Sequence, residues 1–439
     1  MLTTLKNAFK IREIRSKIVF TLLMLAVIRL GTLITVPGIY GEQFSYWFRQ
    51  LTAGGSFGFM ERFTGGSFEQ MSILALNITP YITSSIIIQL LTIAIPKFEE
   101  WQHDGEEGRK KLTNMTRYIT IALALVESIA MAVGFYRNGL LIKSQNWVYC
   151  VEIVAALTAG SAFLMWIGER ITDYGVGNGI SIVLTINIVS RMPKDLKTLY
   201  EQFLLNHSVV QKVVYGLIIL VIIIAMVVLV VLLNDAERKI PVQYAKKLQG
   251  RRLVGSSGAE IPLKVNTAGV MPIIFAMSLF QFPIIVSQLL GYKGTGVWSE
   301  VLKYLNEGNW IQPSQWKYSV GLVLYILLMI FFAYFYTDIT FNPLEIADNL
   351  KKQGGFIPGI RPGKPTSDYL QNMLKYIILI GVCGLIIVAV LPIVFNGLFN
   401  ANVSFGGTSL IIVVSVILET VKQIESQMLV RNYKGFLDD

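Results

Sequence analysis

Residues 213–233 read VVYGLIILVIIIAMVVLVVLL, a run without a single charged or amide side chain. A bilayer's hydrocarbon core takes about 20 apolar residues of helix to cross, so this one stretch places the chain in lipid. Comparable stretches occupy residues 18–36, 72–95, 118–135 and 147–167 before it, and 268–290, 318–336, 370–394 and 408–421 after it. A tenth, residues 180–190, is short and interrupted by Ser181, Thr185 and Asn187. Hydropathy alone leaves it open as a re-entrant segment or a helix facing water, and it is counted here as a span. The composition agrees: 53% of the 439 residues are hydrophobic and only 15% charged, which excludes an ordinary soluble domain.

Loop charges test the count, because Lys and Arg near span ends are retained on the cytoplasmic side. Ten spans put both termini there, together with Lys6, Lys10, Arg12, Arg15 and Lys17, then Lys97, Arg109, Lys110 and Lys111, then the basic loops 234–265 and 338–369. The fifth loop fits poorly, since it should be external and carries Arg191, Lys194 and Lys197. Dropping the short span would put the later basic loops outside, which is worse. The net charge of +10 is therefore largely a topology signal, and it also suits acidic phospholipid headgroups or an acidic partner. Cys150 and Cys383 fall inside predicted spans, against a disulfide framework or a metal cluster. The first apolar run has the length of a span and no small-residue cleavage site, so it reads as a retained anchor.

Enzymatic motifs are missing from the sequence. There is no His-Glu-x-x-His, Cys-x-x-Cys or Gly-x-Ser-x-Gly, and the glycines of 359–363 lack the spacing of a nucleotide-binding loop. No cofactor is expected. The buried charges Arg29, Glu127, Glu152 and Glu419 keep a secondary transporter as the rival reading, with a membrane-insertion chaperone as a third.

The spans divide five and five, giving an N-terminal half (1–200) and a C-terminal half (201–439) about a polar fifth loop at 193–209. Between the first two spans, glycine-rich ends flank a short stretch in which Phe57, Met60 and Phe63 recur every third residue; such an element can fold back into the protein. Loop 234–265 has the pattern of a basic hairpin, and loop 338–369 mounts Arg361 between two Pro-Gly breakers, a stiff tip suited to a partner.

Several stretches resemble the SecY/Sec61-alpha family of protein-conducting channels. They are residues 77–82 (NITPYI) with 86–91 (IIIQLL), 105–111 (GEEGRKK), 168–173 (GERITD) leading into 177–181 (GNGIS), 244–252, 262–270, 342–352, 359–363 (GIRPG) and 406–410 (GGTSL), in the family's order along nearly the whole chain. The resemblance implies an all-α membrane protein of ten helices in two pseudo-symmetric halves, with a short plug (about 55–66, with Phe57, Met60 and Phe63) beneath an aliphatic pore constriction. That constriction would comprise Ile82, Ile86, Leu184, Ile188, Ile274 and Ile412. A lateral gate would open between the second and seventh spans, at Thr83, Ser84 and Gln89 facing Asn266 and Thr267, with Ser84 opposite the neighbourhood of Ala276. Lys246, Lys247, Arg251, Arg252 and Arg361 would meet the SecA ATPase or a ribosome, and SecE and SecG would be membrane partners. Signal peptides and nascent chains would be the substrates, the bacterial plasma membrane the location, and nucleotide hydrolysis the partner's task.

Overall fold

In the computed structural model the chain is described over residues 8–52, 64–142, 147–201, 209–244, 247–249, 252–254, 259–289, 296–311, 316–399 and 407–434. The order is α1 (Arg12–Gly31), α2 (Gly41–Thr52), α3 (Thr79–Ala94), α4 (Pro96–His103), α5 (Gly105–Arg137), α6 (Trp147–Tyr174), α7 (Gly179–Leu199) and α8 (Val209–Asp235). A sheet region follows, β1 (Glu237–Tyr244), β2 (Lys247–Gln249), β3 (Arg252–Val254) and β4 (Ala259–Lys264). The chain continues through α9 (Met271–Leu289), α10 (Val297–Leu305), α11 (Ser319–Thr340), α12 (Pro343–Lys352), β5 (Gly355–Phe356), α13 (Lys364–Phe399) and α14 (Gly407–Lys434). A helix lies in each of the ten predicted stretches. Among the described residues five helices are long and apolar enough to cross a membrane by themselves, and a sixth span results if α3 and α4, bent by 107° at their junction, are taken together.

Packing follows chain order within each half. Helix α5 lies against α3 and α6, and α6 against α1 and α7; in the second half α9 meets α11, α11 meets α13, and α8 meets α13 and α14. Two seams join the halves, α7 against α14 and α5 against α9.

The second predicted span begins later than its apolar run. Residues 72–78 form turns, and helix starts at Thr79, with Pro80 in its first turn. The preceding stretch is instead pinned to the first helix's exit: the amide of Val36 donates to the carbonyl of Met71 and that of Ile73 to the carbonyl of Ile34, both at 2.9 Å. Backbone that is not helical is thereby satisfied inside the protein rather than exposed to lipid.

The short tenth stretch is a full helix, and the polar fifth loop is shorter than its composition suggests. Asn178 caps α7, its side chain accepting from the amides of Ile180 at 3.1 Å and Ser181 at 3.3 Å, while Thr172 Oγ1 accepts from the amide of Gly179 at 2.9 Å. The helix runs through Pro193 to Leu199. The basic residues that fit the charge rule poorly are all paired with acids: Arg191 with Asp195 at 3.3 Å, Lys194 with Glu69, and Lys197 with Glu201 at 3.7 Å. Neutralised in pairs, they do not contradict an external position.

Removing the cap should loosen the helix that this stretch depends on. Asn178→Ala is expected to lower stability by about 1 kcal/mol, read as a drop in the thermal unfolding midpoint of the purified protein, with Asn178→Ser close to the parent.

Candidate functional site

Ile82 and Ile86 are one helical turn apart on α3, and Leu184 and Ile188 one turn apart on α7, so each pair presents a single face. Ile274 comes from α9 and Ile412 from α14. All six meet in one apolar cluster: Leu184, Ile188, Ile274 and Ile412 are buried in it, and Ile82 and Ile86 pack half-buried against it. The same cluster gathers side chains from α8, α11 and α13, so the six sit where both halves of the molecule converge. Every group they contribute is aliphatic, without a donor, acceptor or charge to hold an ion or a small polar substrate.

Among the described residues, no hydrogen bond joins Thr83, Ser84 or Gln89 to Asn266 or Thr267. Ser84 hydrogen-bonds Thr120 Oγ1 on α5 and the carbonyl of Tyr81, and Thr83 bonds the carbonyl of Thr79 within its own helix. Gln89 is half-buried on α3. Across the molecule, Asn266 Nδ2 donates to Asn234 Oδ1 at 2.8 Å, whose own Nδ2 donates to Ser415 Oγ at 2.6 Å, and Thr267 bonds the carbonyl of Lys264. Ser84 is buried where α3 meets α5. Its hydroxyl is drawn to the nearest buried polar partner, on α5, and it is α5 that packs against α9. Asn234 was passed over in the sequence because it closes an apolar run; its place at a span end was the available signal.

The two long loops form one platform. Strand β1 pairs antiparallel with β4, from Glu237 opposite Lys264 to Val242 opposite Ala259, and its far end pairs with β5, Gln243 opposite Phe356. A smaller hairpin joins β2 to β3, with Lys247 opposite Val254 and Gln249 opposite Arg252. Arg361 is exposed beyond β5. Its carbonyl accepts from Thr366 Oγ1 at 2.8 Å, and the glycines on either side, Gly359 at φ 83° and Gly363 at φ 101°, hold left-handed turns that a side chain would strain. Lys246 and Arg251 lie outside the described residues, as do Phe57, Met60 and Phe63.

The charges that supported a transporter are dispersed. Arg29 stands on α1, Glu127 on α5, Glu152 on α6 and Glu419 on α14, and among the described residues no ion pair joins any two of them.

Comparison with known proteins decides between the readings, since the SecY family model matches residues 72–421. The chain belongs to the SecY family. It is 44% identical over 451 residues to the protein translocase subunit SecY of Halalkalibacterium halodurans, and 42% identical over 444 residues to that of Bacillus subtilis, with all of both chains covered in each case. The fold is likewise that of solved channels. A structure described as a protein conducting channel matches with a TM-score of 0.61 at 17% identity, covering 94% of this chain and 92% of that one. Sec61 in a canine ribosome-channel complex matches with a TM-score of 0.59 at 16% identity, over the same shares. The chain is thus a multi-pass membrane protein of SecY type, a translocase channel subunit and not an enzyme.

Disulfide trapping checks these contacts. Ser84→Cys combined with Thr120→Cys should oxidise readily and leave export intact, because α3 and α5 already pack against each other. Ser84→Cys linked to Ala276→Cys, across the expected gate, should block export until the link is reduced.

Proposed function

We propose that this chain forms the central protein-conducting channel of a bacterial Sec translocase, passing unfolded secretory proteins across the plasma membrane and releasing apolar segments sideways into lipid. The observation that carries the reading is the convergence of Ile82, Ile86, Leu184, Ile188, Ile274 and Ile412, from helices of both halves, on one apolar cluster. A ring of such side chains yields to a polypeptide because aliphatic groups deform without breaking specific bonds, and it holds back ions because a hydrated ion meets a dry gap. Residues 1–200 and 201–439 act as the two halves, and Phe57, Met60 and Phe63 belong to a plug. The seam between α5 and α9 supports lateral exit, with α3 and its Thr83, Ser84 and Gln89 moving as part of the same wall, and Asn266 and Thr267 at the opposite edge.

Both termini are cytoplasmic in this reading, and the paired loops form the docking face. SecA or a ribosome engages Arg361 on its rigid mount, with Lys246, Lys247, Arg251 and Arg252 adding electrostatic attraction. The solved Sec61 and Ssh1 channel complexes bound to ribosomes support this kind of partner. SecE and SecG complete the membrane complex, acidic phospholipids surround it, and the partner hydrolyses the nucleotide while signal peptides and nascent chains move through this subunit.

Replacing Ile86, Ile188 and Ile274 together by Ser should hydrate the gap, raise resting conductance in planar bilayers and relax the need for a strong signal sequence; recordings as quiet as the parent's would place the constriction elsewhere. Arg361→Glu should abolish SecA-driven export while the complex still inserts and assembles, measured by precursor uptake into reconstituted vesicles.

A further inference from the structure

Asn187 interrupts the apolar run of α7 one residue before Ile188. Its Nδ2 donates to Asn77 Oδ1 at 3.0 Å, and the two residues are 2% and 1% exposed. Asn77 stands five residues before Ile82, in a left-handed turn at φ 54° that Asn tolerates better than most residues. Its carbonyl accepts from Ser161 Oγ at 3.3 Å, which fixes the turn to α6. The bond therefore ties the start of one collar helix to the other beside the collar itself.

A second tie lies about two helical turns farther along α7. The Lys194 ammonium is paired with the Glu69 carboxylate, whose side chain is only 9% exposed, and the backbone carbonyl of Glu69 accepts from Ser45 Oγ at 3.0 Å. Just before the outer tie in sequence the chain also approaches α7 at the inner one: a Cβ on Gly65 would stand 2.6 Å from the carbonyl oxygen of Asn187. Residues 65–77 are thus laid against α7 and fastened by a neutral pair at the collar end and an ionic pair at the outer end.

We infer that Asn77–Asn187 and Glu69–Lys194 form a latch that positions the segment returning from loop 54–66 against the collar helix, so that these residues, and not the aliphatic ring alone, set the resting width of the channel. The inference rests on the channel reading above. Its physics is a difference between the two ties. The buried amide pair leaves two polar groups unpaired when it parts, a cost paid in full only where water cannot enter. Asn187 Oδ1 has no hydrogen-bond partner among the described residues, so a single bond closes the inner tie. The outer tie has its lysine side chain 55% exposed, and is therefore screened by salt. The closed state is held at both ends by these two ties, which act beside the backbone bonds of Met71 and Ile73 to residues 34–36.

The test uses the complete translocase in planar bilayers, recording resting conductance. Asn77→Gly keeps the left-handed turn while deleting the side chain, and Asn187→Ala deletes the partner. Each should raise resting conductance roughly tenfold, the factor that about 1.4 kcal/mol supplies, and the double variant should leak no more than either single one, because the two share a bond. Lys194→Glu should leak as well, and Glu69→Lys combined with Lys194→Glu should restore the seal, a rescue that loss of packing would not give. This surface-facing pair keeps the test decisive if an Asn variant assembles poorly. The collar variant Ile86→Ser/Ile188→Ser/Ile274→Ser is recorded beside them. If it leaks while both the Asn and the charge variants stay as tight as the parent, or if the Asn effects simply add, the latch is overturned and the channel reading stands. If the collar variant is also silent, the channel reading fails and the latch falls with it.

Discussion

Inside hydrocarbon no water is at hand to satisfy a backbone amide or carbonyl, so a chain crossing it must close its hydrogen bonds within each segment. Every other feature of this molecule is arranged around that constraint. Helices span, and the places where the backbone departs from helix are enclosed by protein. Residues 64–78 show how: most of their backbone bonds close among themselves, Met71 and Ile73 are tied to Val36 and Ile34, and Asn77 is fixed by Ser161 and Asn187 from two different helices. The polar groups that this enclosure requires lie beside the apolar cluster of Ile82, Ile86, Leu184, Ile188, Ile274 and Ile412, which is why buried amides stand next to a purely aliphatic patch.

The same constraint explains why the helices can be read from sequence and their seams cannot. An uninterrupted run such as 213–233 announces a helix because nothing else survives in lipid, and the family's motifs supplied the order of the rest. Helix α7 was harder to read: its apolar run is short, and its stability comes from the Asn178 cap and the Thr172 contact with Gly179, which hydropathy does not register. The fifth loop misled for a related reason. Arg191, Lys194 and Lys197 look like retained charges until their acids are known, and Glu69 lies 125 positions away from Lys194.

Side-chain direction was the least legible part. The interval between Ile82 and Ile86 puts them on one face but does not say what that face meets, and Ser84, between them in sequence, bonds to Thr120 on α5. Loops 234–265 and 338–369 show the same limit. Each reads alone as a basic projection, yet pairing of Gln243 with Phe356 makes them one surface, a long-range contact that no local pattern encodes. Rigidity at Arg361, by contrast, was visible in the glycines and prolines around it, because turn chemistry is local.

The central claim is that a polypeptide in transit threads the apolar cluster where the two halves meet. A secretory precursor arrested midway, in a complex carrying one photoreactive side chain at a time, tests this directly. Adducts to the precursor should form from the positions of Ile82, Ile188 and Ile412, and be absent from Leu220 and Phe282, which are exposed on the outer surfaces of α8 and α9. Adducts from Leu220 and Phe282 with none from the cluster would mean that the substrate passes elsewhere, and that the collar is only a core.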